Sequence, residues 1–115
     1  MEAYSVRQNK VAKLVQTTLA EIIQKKGFQA YGGAMITVAQ VRISSDLNYA
    51  KVYISIFATS KTKEEVLEIV EKDNKTLRYE LGKLVRNQLR VVPELSFYID
   101  DTLDHIEKID ELLKK

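Results

Sequence analysis

Residues 49–57 alternate without a break. Ala50, Val52, Ile54 and Ile56 fall on one side and Tyr49, Lys51, Tyr53 and Ser55 on the other. A period of two with one apolar side is the pattern of a half-buried β-strand. Upstream, residues 35–43 are rich in β-branched types, and Ser44-Ser45-Asp46-Leu47-Asn48 forms a turn cluster between the two runs. The runs are expected to pair as an antiparallel hairpin with one face buried and one wet. A lone hairpin is marginal in water, so the rest of the chain must cover its apolar face.

The flanking sequence has the period needed to do so. From Ser5 to Lys26, Val11, Leu14, Val15, Leu19, Ile22 and Ile23 recur at helical spacing, with Ser5 placed to cap and Gly27 to terminate. Residues 28–33 read as a loop. Residues 61–72 form a helix with Val66, Leu67, Ile69 and Val70 inside, and Asp73-Asn74 offers capping chemistry that splits it from a second helix reaching about Leu89. Pro93 forbids extending that helix far. Residues 95–99 alternate again as a third strand. Asp101 or Thr102 is then expected to cap a last helix carrying Leu103, Ile106, Ile109, Leu112 and Leu113. The economical packing is α+β, a three-stranded sheet with the helices on one side, as a single domain over residues 1–115.

The chain has no cysteine, which removes disulfides and thiolate metal sites and fits a reducing compartment. Its amino terminus lacks the apolar run of a secretory signal, and no window approaches the ~18 apolar residues of a membrane span. The protein is expected to be soluble and cytoplasmic.

A net charge of +2 conceals an asymmetry. Residues 75–90 carry five cations against Glu80 alone, whereas residues 100–115 carry six acids against three lysines. On a helical wheel Leu77, Leu81, Leu84, Val85 and Gln88 share one arc. Lys75, Arg78, Tyr79, Gly82, Lys83, Arg86 and Arg90 occupy the opposite one. Cations neutralise phosphates and tyrosine stacks on unpaired bases, so this arc is a candidate RNA-binding surface. A helix-interior glycine costs about 1 kcal/mol relative to alanine, and close approach of another backbone would offset it. The plain alternative is a solvated basic face, against which stands the near absence of interleaved acids. Arg7, Lys10 and Lys13 form a second basic group near the start of the first helix, where the helix dipole disfavours cations.

Other polar groups read more simply. His105 is the only histidine and makes neither a metal site nor a triad. Asp100, Asp101 and Asp104 lack the calcium-loop pattern and suit helix capping. Tyr49 and Tyr53 lie on the wet side of their strand, where a core or helix-covered position is favoured over a base platform. There is no phosphate-cradling glycine loop, nucleophile, acid–base pair, metal site or cofactor cradle, so no catalysis and no cofactor is expected.

Three stretches together resemble the ribosome-binding factor A family. They are Arg7-Gln-Asn-Lys-Val-Ala-Lys-Leu-Val15, Val41-Arg-Ile-Ser-Ser-Asp-Leu-Asn-Tyr-Ala-Lys-Val-Tyr53, and Leu77 to Phe97 with Leu-Gly-Lys at 81–83 and Leu-Arg-Val-Val-Pro-Glu-Leu at 89–95. The resemblance implies a type II KH-like fold. It also implies binding to the immature small (30S) ribosomal subunit, with a non-catalytic part in late 16S rRNA maturation, notably in the cold. 16S rRNA is the partner this implies, and the chain is expected to act as a monomer. KH domains clamp nucleotides with a Gly-x-x-Gly loop between two helices. The family typically has an Ala-x-Gly kink there, and Asp73-Asn74-Lys75 stands in its place here. The Asp73 charge is expected to push RNA contacts further along the helix. The rival reading is a protein-interaction module that uses the hairpin or the C-terminal helix.

Overall fold

The structure, a computed structural model, describes residues 5–100. The first helix, α1 (Val6–Lys26), starts with a reciprocal cap. Ser5 Oγ accepts from the Gln8 amide at 3.0 Å, and the Gln8 side chain accepts from the Ser5 amide at 2.9 Å. Such a cap contributes about 1 kcal/mol. Gln8 also donates through Nε2 to the Ile43 carbonyl at 3.0 Å, tying the helix start to the end of the first strand. Gly27 ends α1 at φ 78°, a conformation glycine adopts without Cβ clash.

The sheet comprises β1 (Met35–Ile43), β2 (Tyr49–Phe57) and β3 (Glu94–Ile99), in that spatial order. β1 and β2 form the expected antiparallel hairpin, and β3 joins β2 in parallel. A parallel partner needs a crossover rather than a tight turn, and the two intervening helices supply it. β1 is not regular: the register shifts between Val38 and Gln40. The extra residue, Ala39, turns both Val38 and Val41 inward although they are three apart. Gln16 of α1 marks the bulge by donating to the Ala39 carbonyl at 3.2 Å.

The crossover is α2 (Lys63–Lys72) followed by α3 (Asn74–Val85). Thr62 and Glu65 form a second capping box, so α2 begins two residues later than the apolar spacing alone implies. α3 stops at Val85, short of the expected Leu89. The Val85 carbonyl accepts from both Gln88 and Leu89, at 2.8 and 2.9 Å, and closes a turn there. Its buried line is Leu77, Leu81 and Val85. Leu84, expected inside, is 53% exposed, and Gln88 is exposed as well.

The helical region does break at Asp73, but not by capping, since its side chain makes no cap bond. The carboxylate instead accepts from the buried Tyr31 hydroxyl at 3.0 Å and lies 3.3 Å from Lys26 Nζ. Tyr31 belongs to a 3₁₀ turn (Phe28–Tyr31) inside the expected loop, and it is among the most buried side chains. Its burial, reinforced by the Asp73 carboxylate, pushes the phenol well above its ordinary pKa. Asn74 donates to the Leu95 carbonyl at 2.9 Å, and Glu71 accepts from the Phe97 amide at 2.9 Å. The break therefore anchors the 3₁₀ turn on one side and β3 on the other. The expected last helix, with its cap at Asp101 or Thr102, its apolar stripe and His105, lies outside the described residues.

Candidate nucleic-acid interface

After α3 the chain runs back across the helix. Arg78 holds it there, donating through Nε to the Pro93 carbonyl at 3.1 Å and through Nη2 to the Val92 carbonyl at 2.7 Å. Beneath the crossing lies Gly82, where a Cβ would come within 3.2 Å of Val92 Cγ2. On the wheel Gly82 falls on the basic arc, where another backbone was expected to approach. Its lack of a side chain is instead used, at least in part, by a neighbour within the same chain.

A cleft of about 530 Å³ follows this face of α3. Lys75, Arg78, Tyr79, Gly82, Lys83 and Arg86 line it, together with Val92. Six of the seven residues expected on the arc are thus brought together. Not all are equally free. Arg78 is committed to the crossing backbone. The Lys83 ammonium stands 5.3 Å above the Tyr79 ring and 3.8 Å from Glu80, so one face of that ring already has a cation over it. Lys75 and Arg86 make no ion pair with a carboxylate among the described residues.

Arg90, the seventh, lies elsewhere because α3 ends early. It lines a second cleft of about 410 Å³ with Arg7 and Lys10, two residues of the other basic group. Lys13 is exposed but lines neither cleft. The second cleft lies between the start of α1, the β1–β2 turn and residues 88–91, with Val11, Leu14, Leu47, Leu89 and Val91 as its apolar lining. Cations around an apolar floor can hold a phosphate while a base or sugar rests below. Its acid, Asp46, is occupied within the turn. It accepts from Ser44 Oγ at 2.6 Å and from the Asn48 amide at 3.0 Å, and the Ser44 bond foremost holds its carboxyl below the usual range.

Leu47, Leu89 and Val91 were not foreseen as lining residues. The available signal was Leu47, one apolar residue in a polar turn, and here it takes φ 65°, uncommon for a branched side chain. The expected repulsion of RNA by Asp73 has no free charge behind it, since Lys26 and Tyr31 engage that carboxylate. Among the described residues no group of three or more His, Asp or Glu side chains forms a metal cluster, and no helix is long and apolar enough to cross a membrane.

The family model for ribosome-binding factor A matches residues 7–113, nearly the whole chain. The chain belongs to the ribosome-binding factor A family. Among curated relatives, ribosome-binding factor A of Cytophaga hutchinsonii is 39% identical over 111 residues, 96% of this chain and 83% of that protein. The Flavobacterium johnsoniae factor is 42% identical over 111 residues, covering 93% and 82%. The crystal structure of ribosome-binding factor A from Thermus thermophilus superposes with a TM-score of 0.66 at 25% identity, over 84% of this chain and 97% of that one. A homology model of the Thermus thermophilus factor, fitted into the cryo-electron-microscopy map of a 30S complex, gives 0.62 at 27% identity over 77% and 90%. The fold shared with these structures is the KH-like α+β fold that the resemblance implied.

Proposed function

We propose that this chain is a non-catalytic ribosome assembly factor. It acts in the cytoplasm as a single-domain monomer that docks on the immature small subunit through 16S rRNA and assists late rRNA processing. The observation that carries the reading is the convergence of Arg7, Lys10 and Arg90, remote in sequence, on one cleft. The α3 cleft with Lys75, Lys83 and Arg86 adds a second cationic surface. Both are open and rimmed by cations that outnumber Asp46, the one acid in their lining, which suits phosphate contacts rather than bond-breaking chemistry. The 30S complex of the Thermus thermophilus factor supports the choice of partner.

In this reading Lys75, Lys83, Arg86, Arg7, Lys10 and Arg90 contact phosphates and Tyr79 offers its outer face to a base. Arg78 and Gly82 shape the surface, and Lys13 adds charge beside it. The test is co-sedimentation with free small subunits, intact ribosomes and polysomes across a salt series. The expected result is association with free small subunits that weakens steeply with salt. Salt-insensitive association would favour a protein partner, and association with polysomes alone would contradict a role in assembly.

A further inference from the structure

The sheet has a second face, opposite the helices, which neither cleft reaches. The register lays its outward residues in rows across the strands: Arg42, Lys51 and Ser96 in one, and Gln40, Tyr53 and Tyr98 in the next. In the aromatic row the Tyr53 and Tyr98 rings stack with centroids 5.5 Å apart and planes 29° apart, and Arg42 Cζ lies 5.9 Å from the Tyr53 centroid. Arg42, Tyr53 and Tyr98 thus form one continuous stack across all three strands. Tyr98 sits on an edge strand and is 43% exposed, so its far side can extend the stack.

Apolar exposure continues along the face at Tyr49 and Phe57, 56% and 70% exposed. Together with Tyr98 they make one face of the sheet largely aromatic, a surface suited to a partner. Arg42 and Lys51 form no ion pair with a carboxylate among the described residues. Outward neighbours along a strand are about 7 Å apart, so the cation row lies within reach of the phosphate of a nucleotide stacked on the aromatic row. We infer that this face is a second RNA site, a stacking platform for unpaired nucleotides in which the free side of Tyr98 supports a base, Tyr53 holds the Tyr98 ring in place, and Arg42 and Lys51 contact phosphate. The inference rests on the RNA-binding reading above only for the class of ligand.

The test uses the full chain and a fluorescein-labelled uridine octamer, with an RNA duplex of equal length as control. Tyr98→Leu and Tyr53→Leu are each expected to weaken octamer binding about 5-fold or more and to leave duplex binding unchanged. Tyr98→Phe, which keeps the ring, should stay within about 2-fold of wild type. Arg42→Gln should lower the salt slope for the octamer by about 0.7. As a readout free of folding effects, the octamer should shift the ring resonances of Tyr53 and Tyr98 in the unmodified protein. Leucine variants that bind like wild type, a phenylalanine variant as weak as leucine, or unshifted rings overturn the platform. So does a concentration-dependent dimer dispersed by Tyr98→Leu, which assigns the face to a second copy. Wild-type chain that binds small subunits but not the octamer sinks this inference alone. Chain that binds the octamer but not small subunits sinks the proposed function alone.

Discussion

Arg78 grips the backbone at Pro93: its Nε donates to that carbonyl at 3.1 Å while Nη2 reaches the adjoining Val92 carbonyl at 2.7 Å. A residue that reads as a phosphate contact thus fastens the return segment to α3. Hydrogen bonds from a charged donor contribute about 1.5–3 kcal/mol, less where exposed. Arg78→Gln is expected to lower unfolding stability by about 1–2 kcal/mol in denaturant titration, while Arg86→Gln changes it little. Equal, negligible effects at both positions would show that the clamp contributes nothing.

Lys83 and Arg86 separate binding from stability in the other sense. Both are exposed on the α3 cleft. The double change Lys83→Gln, Arg86→Gln should flatten the salt dependence of small-subunit binding by about 0.7–0.9 per lost contact, with a near-constant melting midpoint. An unchanged slope would shift the phosphate contacts to the cleft of Arg7, Lys10 and Arg90.

At Gly82 two effects oppose each other. Alanine gains about 1 kcal/mol of helix propensity, yet its Cβ would crowd Val92. Gly82→Ala is therefore expected to yield less than that gain in the wild-type background and to recover about 1 kcal/mol when Val92→Ala removes the obstruction. Identical effects in both backgrounds, measured by a double-mutant cycle, would separate Gly82 from Val92.

The Tyr31–Asp73 pair predicts behaviour at alkaline pH. Because the folded phenol has a raised pKa, its contribution is complete below the unfolded value near 10 and is lost as pH rises through the folded one. Tyr31→Phe should cost about 1 kcal/mol at neutral pH, and its stability should fall less steeply than wild type above about pH 10. Parallel pH profiles for the two proteins would rule the phenol out as the source.

Much of this was legible from residue order. The strict alternation of 49–57 identified β2, its buried side and the hairpin, and the helical wheel found Leu77, Leu81 and Val85 of the inner line of α3 while also placing the exposed Leu84 and Gln88 there. Long-range contacts were not legible. Nothing local distinguishes an arginine that meets phosphate from one that meets the carbonyls of residues 92 and 93, or shows that Asp73 is claimed by Tyr31, 42 positions away. Pro93 bounded α3, but the turn at Val85 ended it earlier and carried Arg90 to another cleft. The Arg42–Tyr53–Tyr98 stack needed the register of all three strands, and with it the parallel placement of β3.

The bulge at Ala39 has a bearing on self-association. β1 is an outer strand, and an open edge nine residues long invites another chain to add a strand. The extra residue divides that edge into two short runs, Met35–Val38 and Gln40–Ile43, out of phase with each other. A visiting strand in register with one run would present the wrong side to the other. Gln16 also engages the Ala39 carbonyl at the point of division. The irregularity that turns Val41 into the core thus also works against the strand's growth into a larger sheet.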